Sequence, residues 1–215
     1  MSFFQNSSIP SAMLAGLGNP GPKYQDTRHN VGFMAIDALR ARLEDLFPGC
    51  CEEVTKPRGR YELWRARAFG KIWLLVKPMT FMNLSGEAVA PLAGFYKLDI
   101  PNILVVHDEL DLPLGRMKFK QGGGLAGHNG LKSLDACLGS RDFPRLRLGI
   151  DKPQNPEQIV NYVTSRFRPA ELPVLEKTLP AAVSALLVYM EQGLSTAMQE
   201  ANGVNFTPAP AAHAE

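Results

Sequence analysis

Cysteine is scarce in this 215-residue chain: Cys50, Cys51 and Cys137 are the three, with no C-x-x-C pair among them. Such a set builds no disulfide framework and fits a reducing compartment. No Lys or Arg precedes Lys23, and MSFFQNSSIPS holds no sustained apolar run, so the start does not read as a signal peptide. The longest apolar stretch, Ala181 to Met190, is too short to cross a bilayer. Together these absences predict a cytoplasmic protein without a membrane partner. G-x-S-x-G and H-E-x-x-H are both missing, and no Cys lies in a protease-like setting, which removes three common hydrolase designs. An excess of one charge is missing too: 23 basic against 21 acidic side chains leave a net +2.

The charge is uneven locally. Between Leu112 and Lys152 stand Arg116, Lys118, Lys120, Lys132, Arg141, Arg145, Arg147 and Lys152, against only Asp135, Asp142 and Asp151. A stretch of that kind suits an anionic ligand or forms a solvated face.

The chain is organised around Leu14 to Asn30, LAGLGNPGPKYQDTRHN. A short apolar run ends in glycines and prolines, and an amphipathic pattern begins at Val31. That predicts strand, extended loop, helix, with the ligand crevice beyond the strand end. Gly16, Gly18 and Gly21 fit the dinucleotide fingerprint, yet Pro20 and Pro22 flank the third glycine and no helix opens there. The acid expected roughly 20 residues on should close a second strand, whereas Asp37 lies inside the helical pattern. The glycines are therefore assigned to close backbone approach or tight turning, and no nicotinamide or flavin is expected.

Helical spacing continues from Val31 to about Leu46, and Cys50 to Arg60 reads as a polar connection. Tyr61–Phe69 and Lys71–Lys77 read as a hairpin around Gly70. A helix is expected from about Ser85, as its N-cap, with Pro91 kinking or shortening it. Ile103–Val106 has the continuous apolar character of a strand covered on both faces. Arg116–Gln121 alternates basic with apolar, a helix runs to about Leu138, and Arg145 and Arg147 sit in a last strand. Helices are expected around Pro156–Thr164 and Ala170–Ala201, with Pro180 dividing the latter or beginning its main part. The fold class is α/β, a single-domain three-layer sandwich whose mixed, largely parallel sheet is flanked by helices. Residues 1–10 form an extension, 11–203 the domain, and 204–215 a disordered tail.

Four loops offer polar groups for chemistry: Asn19 with His29, Asn83, Asp108, and His128 with Asn129. His29 can act as a base on water, with Asp108 holding its other nitrogen. Each residue also has a plainer reading. Asp108 can form an Asx-turn, and taken alone Asn83 and Asn129 read as helix N-caps. His107 reads as structural, His128 as a turn residue, and Tyr24, Phe81 and Met82 as core. His29, Asp108 and His128 lack any recognised metal-ligand spacing, so no metal is expected.

The segments GLGNPGPKYQDTRHNVG, KPMTFMNLSG, HDELDLPLGRMKFKQGGG, GHNGLKS and FPRLRLGI together resemble bacterial peptidyl-tRNA hydrolase. They occur in that family's order and span roughly two thirds of the chain. Leu125 and Ala126 depart from it, in a region often richer in glycine or polar groups. The resemblance implies a monomeric, cofactor-free enzyme that cleaves the ester between a peptide and the 3′ ribose of tRNA, recycling tRNA from stalled or aborted translation. It implies His29 as catalytic base, Asp108 as its carboxylate, and Asn19 as the residue that tells blocked from free aminoacyl groups. Asn83 and Asn129 then contact the peptide and the attacking water or terminal nucleotide. Tyr24 and Phe81 line the tRNA end with Met82 beside them, and Lys120 and Arg147 grip the 5′ phosphate. Amides such as Asn129 and Asn19 can also steady a developing oxyanion. The alternative is an inactive RNA-binding module of the same fold.

Overall fold

The computed structural model describes residues 9–54 and 60–207. Its strands are β1 Ala12–Gly16, β2 Cys51–Glu53, β3 Tyr61–Ala68, β4 Lys71–Pro78, β5 Ile103–Glu109, β6 Met117–Gln121 and β7 Pro144–Gly149. They form one sheet in the order β2-β3-β4-β1-β5-β7-β6. The central strands β4, β1, β5 and β7 are parallel. The β2–β3, β3–β4 and β6–β7 pairings are antiparallel, so the sheet is mixed with a parallel core.

Side chains alternate faces along a strand, and β1 shows the consequence. Leu14 joins a core with helices α1 Val31–Leu46, α5 Leu172–Gln192 and α6 Leu194–Ala201. Met13 and Ala15 join the opposite core, with α2 Ser85–Tyr96 and α3 Asn129–Leu138. A short helix, α4 Ile159–Val163, lies between β7 and α5 in the chain. The result is the three-layer α/β sandwich expected. Phe69 and Gly70 close the β3–β4 hairpin with φ of 51° and 70°, the two positive values of a type I′ turn.

Two glycines bring α1 onto the sheet. A Cβ on Gly16 would lie 2.3 Å from the Gly32 carbonyl oxygen, and one on Gly32 would lie 2.4 Å from that of Val106. Backbone meets backbone there, which is the close-approach role read from the loop. Gly21, at φ +99°, supplies the tight turn.

Several local expectations are corrected. Residues Cys51–Glu53, read as connection, form an edge strand; C-E-E has no alternation to see, and its register comes from β3. Pro91 does not shorten α2, which continues to Tyr96. It sits on the exposed side, where one missing bond is offset by burial of Val89, Leu92 and Ala93. Nor does Pro180 divide the long C-terminal helix: α5 runs through it, and the break falls at Gly193, with φ 86° and ψ −179°. Ser85 is the first residue of α2 rather than its cap, its hydroxyl donating back to the Met82 carbonyl oxygen. At the C-terminal end, 204–207 is no free tail. Phe206 N–H donates to Gly115 O, and Thr207 Oγ1 donates to Leu114 O. Residues 1–8 and 208–215, the rest of both extensions, lie outside the described residues.

By length and composition α5 could cross a membrane. Its Val174, Leu175, Ala182, Val183, Leu186, Tyr189 and Met190 are buried in the core shared with α1 and the sheet.

Gly32→Ala sets two effects against each other. Helix propensity favours Ala by about 1 kcal/mol, but overpacking costs about 1–3 kcal/mol or more, and here the obstacle is unyielding backbone. The variant is expected to be less stable than the parent, with a lower midpoint in urea unfolding followed by circular dichroism.

Candidate active site

The polar groups converge beyond the carboxyl ends of β1 and β5, the usual ligand position in such sheets. β5 is buried on both faces and carries His107, Asp108 and Glu109 as its last three residues. Asp108 faces His29, delivered by the 3₁₀ turn Arg28–Asn30 that leads into α1. His29 Nδ1 lies 2.8 Å from Asp108 Oδ1. A carboxylate only accepts, so Nδ1 carries the proton and Nε2 keeps its lone pair.

The same oxygen has a second partner: His128 Nε2 lies 2.9 Å from Asp108 Oδ1. The His128 tautomer follows from its other nitrogen, which accepts from Gly130 N–H at 3.1 Å and Leu131 N–H at 3.3 Å. With Nδ1 accepting, Nε2 must hold the proton and donate to Asp108. His128 is thus the N-cap of α3, and Asn129 is the first helical residue, not the cap. Asn83 likewise sits within the 3₁₀ turn Met82–Leu84. His29, Asp108 and His128 are close enough to suggest a metal cluster. However, a cation on His128 Nε2 would require the proton on Nδ1, against two backbone N–H groups.

Burial by itself would raise the Asp108 carboxyl. The electrostatic pull of the His29 and His128 rings and their hydrogen bonds outweigh it and hold Asp108 well below the usual carboxylate range. His107 behaves oppositely. Burial, then His128 beside it, push it down to about 3, although Asp108 pulls the other way. Its Nδ1 donates to the Asp108 carbonyl oxygen at 2.7 Å. A buried, neutral His107 fits the structural reading.

Asn19 and Asn30 clasp one another. Asn19 N–H donates to Asn30 Oδ1 at 2.8 Å, and Asn30 Nδ2 donates to Asn19 O at 2.9 Å. Met82 N–H donates to Asn19 Oδ1 at 2.8 Å, which commits the amide oxygen and leaves the NH₂ for a ligand. Met82 is buried against that contact, while Phe81 is 54% exposed.

A cleft of about 510 Å³ brings together Asn19, His29, Phe81, Met82, Asn83, Asp108 and Asn129, seven of the ten residues to which the resemblance gives a role, with His128 beside them. Tyr24 stands behind Phe81, ring edge to face at 6.4 Å, and does not line the cleft. Lys120 and Arg147 lie outside it, on adjacent strands. Lys118 is directly opposite Arg147 and Lys120 opposite Arg145, which places Lys120 diagonally from Arg147 on one face. Arg147 Nε donates to Glu109 Oε2 at 2.8 Å, and Glu109 itself lines the cleft. Arg145 adds nothing to the surface charge: it is buried and donates to the carbonyls of Gly123, Gly124 and Arg141. In that loop Ala126 takes φ +46°, a conformation glycine would adopt without strain.

Sequence reading undervalued His128 and passed over Asn30, Glu109 and the apolar wall of Leu110, Ile159, Val160 and Val163. A histidine immediately before a helix was the available signal for His128. Nothing in a single sequence marks the wall, because its residues look like core.

His107 predicts an acid-side loss of stability. Its folded pKa lies below the unfolded value, so the unfolded chain binds more protons, and stability present above about pH 6.5 falls toward pH 3. The contribution is up to about 1.4 kcal/mol per pH unit across that window. Urea midpoints measured from pH 7 to 3.5 should fall less steeply in His107→Gln than in the parent.

A sequence model described as Peptidyl-tRNA hydrolase matches residues 13–209. A peptidyl-tRNA hydrolase of Nitratidesulfovibrio vulgaris (strain Miyazaki F) is 50% identical over 194 residues, covering 89% of this chain and 96% of its own. One from Thermus thermophilus is 46% identical over 195 residues, covering 91% and 98%. The crystal structure of peptidyl-tRNA hydrolase from Acinetobacter baumannii superposes with a TM-score of 0.81 at 33% identity, covering 91% of this chain and 96% of that one. The chain belongs to the peptidyl-tRNA hydrolase family.

Proposed function

We propose that the protein hydrolyses the ester joining a peptide to the 3′ ribose of tRNA, with His29 as general base and Asp108 as its partner. The observation that carries this reading is the 2.8 Å contact of His29 Nδ1 with a buried carboxylate, at the edge of an amide-lined cleft. Water donates its proton to His29 Nε2 and attacks the ester carbonyl. The carbonyl becomes a tetrahedral oxyanion, toward which the exposed Asn129 amide is available as donor. On collapse the ester C–O bond breaks, and the ribose 3′ oxygen takes the proton back from the imidazolium. Asp108 stays ionised throughout and stabilises that imidazolium. A positioned base contributes about 10²–10⁴-fold.

Asn19 explains selectivity for blocked substrates. Its remaining NH₂ can donate to the carbonyl of an acylated amine, whereas a free α-ammonium offers only donors of its own. Asn83 touches the peptide, while Phe81, backed by Tyr24 and flanked by Met82, faces the terminal nucleotide. Lys120 and Arg147 hold the 5′ phosphate of the acceptor end. The hydrolase unit begins at residue 11, takes in 204–207, and acts as a cytoplasmic monomer. An inactive RNA-binding module would not need His29 and Asp108 kept in contact.

The test is turnover of N-acetylaminoacyl-tRNA against unblocked aminoacyl-tRNA. The parent should cleave only the blocked form at an appreciable rate. His29→Ala should lose at least about 10²-fold in kcat while still binding deacylated tRNA. Parental turnover by that variant would end the assignment.

The phosphate grip has its own signature. Lys120→Ala and Arg147→Ala should raise KM for whole tRNA, and Lys120→Ala should also flatten its salt dependence, removing about one counterion from the slope. A short substrate without the 5′ phosphate should hardly notice either change. Equal losses on both substrates would rule the grip out.

A further inference from the structure

Arg28, the neighbour of His29, is 2% exposed and among the largest fully buried side chains. A buried guanidinium needs many partners, and these come from one segment. Nη1 donates to Ser165 Oγ at 2.6 Å, Arg166 O at 2.8 Å and Ser165 O at 3.3 Å, and reaches Tyr162 O at 3.5 Å. Nη2 donates to Glu171 Oε2 at 2.6 Å. The guanidinium lies 4.2 Å from the Tyr162 ring centre and 5.3 Å from that of Phe167. Backbone adds two ties: Arg28 N–H donates to Ser165 O, and Thr27 bridges Arg166.

Apart from Glu171, which precedes α5, those acceptors sit at and just past the end of α4. The other side of α4 presents Ile159, Val160 and Val163 to the cleft, with Thr164 following. α4 is therefore an apolar wall clamped from behind by the residue next to the base. Five residues cannot hold a helix alone; the clamp sets where the wall stands together with the Tyr162 hydroxyl, which donates to Ile150 O, and the packing of Val163 in the core.

We propose that Arg28 is a positioning residue that fixes the α4 wall relative to His29, so that an apolar side chain on the ester-linked residue is gripped in register with the base. The inference rests on the hydrolase reading, and on the wall's chemistry: aliphatic side chains suit a peptide side chain and offer nothing to a phosphate. Lysine at position 28 keeps the charge but loses the planar fork, so the wall shifts while His29 and Asp108 stay in contact.

The experiment compares parent, Arg28→Lys and Ser165→Ala on N-acetylphenylalanyl-tRNA and N-acetylglycyl-tRNA. For the phenylalanyl substrate Arg28→Lys should raise KM about five- to tenfold, with kcat within about twofold. For the glycyl substrate, which has no side chain to meet the wall, both constants should stay within about twofold. The pH profile of kcat should not move. If Arg28→Lys fails to fold, Ser165→Ala, which removes the 2.6 Å contact, should give the same substrate-dependent split at about two- to threefold. Equal effects on both substrates, or no change in KM with either, would overturn the proposal. A parent that cleaves neither substrate would overturn the hydrolase reading itself.

Discussion

One buried oxygen, Asp108 Oδ1, accepts from two imidazoles, and the geometry of the cleft depends on it. Burying a carboxylate is costly unless donors replace the lost water. Those donors arrive from both sides of the sheet. His29 comes from the start of α1, which packs in one core, and His128 from the start of α3, in the other. The carboxylate therefore ties the first turns of two helices to the end of β5. This is how a three-layer arrangement becomes a site: the sheet provides the acid, and each flanking layer provides one ring. The close approach of Gly16, Gly32 and Val106 lets α1 come near enough for the His29 contact to form.

The two histidines share an acceptor but have different freedom. His128 is fixed at both nitrogens, by Asp108 on one side and two amides of its own helix on the other. His29 is held at Nδ1 alone. A ring held at one nitrogen can exchange a proton at the other; one held at both can only orient. The backbone of α3 thus separates the roles of two residues that composition cannot distinguish.

What could be read from the chain divides along physical lines. The strand-loop-helix at Leu14–Asn30, the hairpin at Gly70 and the buried run before His107 were legible, because turn chemistry and apolar periodicity are local. His29, Asp108 and Asn19 were legible as polar groups at the ends of buried elements. The Asn19–Asn30 clasp and the Met82 N–H that orients the Asn19 amide were not, since they pair atoms far apart in sequence. Prolines misled for a related reason. Pro91 and Pro180 each remove one hydrogen bond, a local loss, while the burial that carries both helices through them is non-local. Gly193 ends α5 through its backbone conformation, and an isolated glycine inside an apolar pattern gives little warning of that.

The contact between Glu109 and Arg147 has a bearing on how a polyanion would approach. Arg147 meets any phosphate already paired, 2.8 Å from a carboxylate that is itself almost enclosed. At a distance the two fields largely cancel, so long-range attraction over this face must come mainly from exposed lysines such as Lys120. On the proposed reading, the guanidinium would matter only at short range, where its fork selects geometry. Capture and fit would then be divided between two cations on neighbouring strands.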